Sequence, residues 1–277
     1  AHFFHGKASL ALGRAKDALQ AADDALRIQP DAAVALLNRT AALLSLHRPG
    51  EALATVDRLL LRNPRHIKGL INRTIALLAL SNFKEALATT FRALTFDSFN
   101  PDLLELEIQA LLGLKCFAEV VAKAQKAWSR YPDRITLRLG LAKGLMGLGE
   151  LAGAETHVDA VLASVPGQAD ALALKFEILL GRNEREATWS WIEQVLVQYP
   201  GQARLWAAKS ALLLVEARYA EALVATEQAL ALKSHEAQAA INRIAALNGL
   251  DRFAEALMAV QELLESGVSD WQLYANQ

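Results

Sequence analysis

"NRTAALLSL" at Asn38–Leu46, "NRTIALLAL" at Asn72–Leu80 and "NRIAALNGL" at Asn242–Leu250 are one phrase written three times. The first two begin 34 residues apart, and Asn72 to Asn242 is 170 residues, five times that interval. A period of this length marks a stacked-repeat architecture, and it has to be tested before any local reading.

The register holds along the whole chain. Pro30 is followed at 34-residue steps by Pro64, Ser98, Pro132, Pro166, Pro200, Ser234 and Val268. Twelve residues before these marks runs a mostly small column: Ala18, Ala52, Ala86, Val120, Ala154, Thr188, Ala222 and Ala256. Four residues before them runs a large apolar one: Leu26, Leu60, Leu94, Trp128, Leu162, Leu196, Leu230 and Leu264. Between the two columns, Ala86, Leu87, Thr90, Ala93 and Leu94 keep the spacing of one helix face, as do Leu70, Ile71, Thr74, Leu77 and Leu78 before them. Each unit therefore reads as two short amphipathic helices joined by a tight turn such as "SNFK" or "LDRF". The small column lets the helices approach, and the proline stops the second one.

These units resemble tetratricopeptide repeats, with their central Ala, apolar residue and closing Pro; Phe83, Phe117, Tyr219 and Phe253 match the family's turn aromatic. The resemblance covers residues 1–277 as eight repeats ending near 30, 64, 98, 132, 166, 200, 234 and 268, with 269–277 starting a ninth or capping helix. It implies an all-α solenoid, a right-handed superhelix of helix-turn-helix units. Asp270 is a candidate N-cap for the last helix. The family's small first-helix residue is Gly6, Thr40, Thr74, Ala142 or Ser210, but bulky Ile108, Phe176 and Ile244 replace it elsewhere, which implies altered helix spacing there. In "GRNEREATW" Ala187 falls one place early and leaves Thr188 in the alanine column.

The composition agrees with helices: 53% of residues are hydrophobic but only 6% aromatic, so Ala and Leu carry the apolar content. A net charge of −1 gives no electrostatic reason to expect nucleic acid or an anionic membrane. Cys116, the only cysteine, allows no internal disulfide. No apolar run is long enough to cross a bilayer, and "AHFFHGKASL" lacks the pattern of a signal peptide. The cytoplasm is the favoured compartment, with the periplasm open, and the chain begins and ends as if cut from something longer.

Catalysis finds no constellation. Gly147, Gly149 and Gly153 have the wrong spacing for a phosphate loop and read as a helix end. His2 and His5 share a helical face without further metal ligands. Cys116 lies in the turn "LKCF" with no paired His. No cofactor or metal is expected.

By resemblance, the first helix of each repeat lines a concave groove that holds a protein or extended peptide. Its face carries Asn38, then Lys68, Ile71, Asn72 and Ile75, then Asp102, Glu105 and Gln109, then Lys143. Asp170 and Glu177, Arg204, and finally Gln238, Ile241, Asn242 and Asn248 follow. Asp102 and Glu105 also read as ordinary first-turn acids behind the Asn100 cap and Pro101. The Lys-Asn-Arg carboxylate clamp of chaperone-binding relatives is not matched, because its columns hold Leu37 and Ala41, or Ile71 and Ile75. The Asn-Arg phrase is similar to the arrays of protein O-glycosyltransferases, whose groove asparagines grip peptide backbone. One amide offers both donor and acceptor to a backbone C=O and N–H. The same asparagines also read as solvated polar residues, and Arg39, Arg73 and Arg243 as arms lying over the seam between repeats. The functional expectation is a non-catalytic binding scaffold. The alternatives are the substrate-recruiting arm of a larger enzyme such as a glycosyltransferase, and an assembly scaffold of bacterial envelope polysaccharide or secretion machinery.

Overall fold

The computed structural model describes residues 14–233 and 236–265. Gly6, the His2/His5 pair, Ser234, Val268 and the Asp270 cap lie outside these residues. The described residues form fifteen helices and no strand. The chain divides into two compact units, with the boundary between Glu150 and Leu151. In the first unit lie α1 (Ala15–Ile28), α2 (Ala33–Ser45), α3 (Pro49–Arg62), α4 (Ile67–Ala79), α5 (Phe83–Leu94), α6 (Pro101–Gly113), α7 (Phe117–Arg130) and α8 (Ile135–Gly147). In the second lie α9 (Leu151–Ser164), α10 (Ala169–Gly181), α11 (Arg185–Gln198), α12 (Ala203–Val215), α13 (Tyr219–Leu232), α14 (Ala237–Gly249) and α15 (Phe253–Glu265). Even-numbered helices are the first of each pair and odd-numbered helices the second; both series start at strict 34-residue steps.

Local chemistry sets these boundaries. After each first helix one residue turns left-handed: His47, Ser81, Lys115, Gly149, Asn183, Ala217 and Asp251, with φ between 55° and 80°. The next N–H then reaches back five residues, Arg48 to the Leu43 carbonyl at 2.9 Å and Asn82 to Leu77 at 2.8 Å, and satisfies an orphan acceptor. Gly149 is thus a helix stop of the same kind as its six non-glycine counterparts. The second helices end because proline forces the preceding residue out of helical space: Gln29, Asn63, Tyr131 and Tyr199 all have φ near −130°. Where Ser98 replaces the proline, α5 stops early at Leu94, and Thr95 keeps helical angles.

The small column is the helix-crossing point, as its residues predict. Ala18, Ala52, Ala86, Val120, Ala154 and Ala222 are fully buried, and Thr188 is 1% exposed. The large apolar column behaves differently. Leu26, Leu60, Leu94, Leu162 and Leu230 are only half-buried, and Leu264 is exposed. The buried partner sits one residue earlier, at Leu59, Ala93, Val161 and Ala229. Seven residues complete almost two whole turns from the alanine, whereas eight overshoot its face.

The turn aromatics have a built socket. A Cβ on Gly113, Gly147 or Gly249 would lie 2.3, 2.2 or 2.4 Å from the ring of Phe83, Phe117 or Tyr219, thirty residues earlier. The bulky first-helix residues are accommodated in the same manner. Ile108 faces Gly140, where a Cβ would meet its Cγ2 at 2.8 Å. Phe176 packs in a cluster with Ala208. Size is exchanged between a residue and the one 32 positions later, on the next first helix.

Within the first unit α2 packs on α4, α4 on α6 and α6 on α8; within the second, α10 packs on α12 and α12 on α14. Successive second helices do not pack on one another comparably. In each unit the first helices therefore form the tighter, inner layer.

Candidate functional site

The inner layer of the first unit presents a mixed face. Asn38 and Asn72 are half-buried at equivalent turns of α2 and α4, flanked by half-buried Leu37 and Ile71, and Ile75 is 37% exposed. Lys68 is exposed one turn before Asn72 on α4, and Gln109 and Lys143 are exposed on α6 and α8 at the position Ile75 holds on α4. Among the described residues, the Asn72 amide has no hydrogen-bond partner within the chain. An amide half-buried among apolar side chains is presented with one donor and one acceptor edge to whatever lies along the face.

The acidic candidates are committed elsewhere. Asn100 caps α6 by accepting from the Asp102 and Leu103 N–H groups, with Pro101 at the first helical position. Arg134 then reaches Asp102 at 3.0 Å and Glu105 at 3.2 Å, and the Thr136 hydroxyl donates to Glu105 at 2.5 Å. Sequence reasoning missed Arg134 and Thr136; their signal is a basic and a hydroxyl residue opening the helix that follows an acid-opened one. In the second unit, Arg204 and Asp170 form an ion pair at 2.9 Å, while Glu177 and Asn248 are exposed.

Asn242 departs from the expectation that it lines an open groove. It is 4% exposed, and its amide donates to the Ala207 carbonyl at 3.0 Å and to the Ser210 hydroxyl at 2.8 Å on α12. Its oxygen accepts from Gln238 at 2.9 Å. The neighbouring hydroxyl explains the difference. Ser210 bonds back to the carbonyl three residues before it, whereas Thr40, 32 residues before Asn72, bonds back to Leu36, four before it. Asn242 fastens two helices together.

The arginines of the phrase lie over the seams. Arg39 donates to Asp23 on α1 at 2.7 Å and to Thr55 on α3; Arg73 donates to Asp57 on α3 at 2.7 Å and to Thr89 and Glu85 on α5. Each spans the gap that the second helices leave. Burial alone would weaken the charge on Arg73, but its bonds to Glu85 and Asp57 outweigh it and hold the guanidinium firmly protonated. Arg243 pairs with Glu262 at 3.0 Å. Cys116 is half-buried as the residue before α7, with its Sγ 3.7 Å from the Leu114 carbonyl. Among the described residues no cluster of His, Cys, Asp and Glu could hold a metal ion. None of the described helices is long and apolar enough to cross a membrane.

Residues 111–178 match the family model described as tetratricopeptide repeat. No curated protein matches the sequence. Among solved structures, a tetratricopeptide repeat protein from Parabacteroides merdae superposes with a TM-score of 0.76 at 15% identity, covering 89% of this chain and 97% of that one. Yeast Tom70 superposes with a TM-score of 0.73 at 16% identity, over 95% of this chain and 58% of that one. PilW, a type IV pilus biogenesis factor, gives 0.65 at 19% identity, over 72% of this chain and 92% of that one. At these identities the likeness is one of fold.

Proposed function

We propose that this tetratricopeptide-repeat solenoid is a non-catalytic scaffold that holds an extended peptide along the first helices of its first unit. The observation that carries this reading is Asn72, a half-buried amide with apolar neighbours and no described partner in the chain, in register with Asn38 one repeat before. A peptide backbone offers alternating C=O and N–H groups, and an amide side chain can bond one of each. Ile71 and Ile75 supply apolar contact beside it, and Lys68, Gln109 and Lys143 form a polar margin. Such contacts ignore the peptide's side chains, so they suit recognition of many sequences rather than one.

Two finer readings share this chemistry. The likeness of the Asn-Arg phrase to glycosyltransferase arrays favours a substrate-recruiting arm of a larger enzyme. The fold shared with PilW favours an assembly scaffold in envelope or secretion machinery. Backbone recognition is common to both, and it is tested directly. Unstructured peptides of unrelated sequence should bind the full chain, and Asn38→Ala with Asn72→Ala should weaken all of them about ten- to a hundredfold, at about 1 kcal/mol for each lost hydrogen bond. Affinities unchanged in the double variant would remove the asparagines from the site.

A further inference from the structure

Of the three seams between second helices of the first unit, two are built on one plan and the third departs from it. At the first, Asp23, Arg39 and Thr55 line a cavity of about 600 Å³; at the second, Asp57, Arg73 and Thr89 line one of about 500 Å³. In both, an arginine crosses the gap and satisfies the groups on either side. At the third seam the same three positions hold Phe91, Glu107 and Lys123, around a cavity of about 470 Å³. Acid has become aromatic, and the central cation has become an anion.

The consequences are chemical. Glu107 is 4% exposed and takes its charge balance from Lys123 at 2.5 Å. Phe91 is 67% exposed and Phe99 53% exposed, both at the cavity. Arg130 lies over the Phe99 ring at 3.8 Å. Lys126 is exposed at the rim and has no ion pair among the described residues. The lining carries Lys123, Lys126 and Arg130 against the single acid Glu107, so positive charge is in excess around an apolar floor. Phe99 is available because Ser98 stands where proline ends the neighbouring repeats, and α5 stops at Leu94.

We propose that this seam, on the second-helix side and away from the asparagine face, docks an acidic peptide segment carrying an apolar side chain. The apolar side chain sits between Phe91 and Phe99, displacing water from both rings, and flanking carboxylates meet Lys126 and Arg130. Basic groups at the rim of an apolar pocket favour an anionic partner and discriminate against a neutral one of equal shape.

The test uses the full chain and fluorescence anisotropy of a labelled hexapeptide: one phenylalanine and one leucine between pairs of acidic residues. The acidic peptide should bind, its amide isostere should bind about tenfold or more weakly, and added salt should weaken binding. Phe91→Asp, which restores the residue type of Asp23 and Asp57, and Lys126→Glu should each lower affinity about tenfold or more. Both side chains are exposed, and the second variant answers if the first fails to fold. Measured in an Asn38→Ala, Asn72→Ala background, which removes binding along the inner face, the dependence on peptide charge, Phe91 and Lys126 should persist, and this separates the two sites. The proposal is overturned if the acidic peptide does not bind or if its amide isostere binds equally. It is equally overturned if both variants bind normally, if phosphate displaces the peptide more than chloride of equal ionic strength does, if phosphatidylserine vesicles displace it, or if the chain self-associates through Phe91.

Discussion

Asn72 and Asn242 occupy the same turn of the same phrase, yet one amide faces outward half-buried and the other is fastened inside. Their own helices are alike; their neighbours differ. Behind Asn242 stands Ser210, whose hydroxyl has an acceptor lone pair free and whose side chain leaves space for an amide to enter. Behind Asn72 stands fully buried Thr40, whose hydroxyl bonds back to Leu36. In a stacked repeat, the role of a column residue is thus decided by the residue 32 positions earlier as much as by its own identity.

This rule can be broken most severely at Ile108 and Gly140. Gly140→Leu should cost about 3 kcal/mol by overpacking against Ile108, measured by urea unfolding. Adding Ile108→Thr recreates the residue types of Thr74 and Leu106, the preceding pair, and should recover most of that loss. Two independent, additive losses would show that the positions do not exchange volume.

The repeat length, the helix pairing and the buried alanine column were legible in the sequence because each is a local pattern repeated many times. The 32-residue exchange was not, because it couples columns in different repeats and shows only when Ile108 is read with Gly140. Of the candidate groove residues, Asn38, Lys68, Asn72, Gln109 and Lys143 lie on the inner layer. The fate of Asp102 and Glu105 depended on Arg134 and Thr136, one repeat away. The fate of Asn242 depended on a serine rotamer. Neither is visible in the helix that carries the residue.

A smaller effect concerns the second unit's charge cluster. Lys175, three repeats after Arg73 in the same column, bonds Glu155 at 2.8 Å and Asp159 at 2.7 Å, both on α9. The bond from Lys175 holds the Glu155 carboxyl below its ordinary value, against the upward pull of burial, with Arg182 assisting. A depressed folded-state value means stabilisation that is complete above the ordinary carboxylate pKa and lost as pH falls through the folded one. Lys175→Met should therefore destabilise by about 2 kcal/mol near neutrality. That deficit should shrink as pH drops below about 4. A deficit independent of pH would assign Lys175 a packing role alone.

The smallest change sharpens the comparison itself. Ser210→Ala removes one of Asn242's two acceptors on α12 and should cost about 1 kcal/mol. In that background Asn242→Ala should cost less than it does alone, because the two side chains share one bond.

The most direct test of the two roles is equilibrium unfolding and peptide affinity measured side by side for Asn72→Ala and Asn242→Ala. Asn242→Ala should lose about 1–3 kcal/mol of stability, as a buried bonded amide is removed, and keep wild-type affinity for an unstructured peptide on the first unit. Asn72→Ala should stay within about 0.5 kcal/mol of wild type and bind that peptide several-fold more weakly. Equal losses of stability in the two variants, with peptide affinity unchanged in both, would contradict the account.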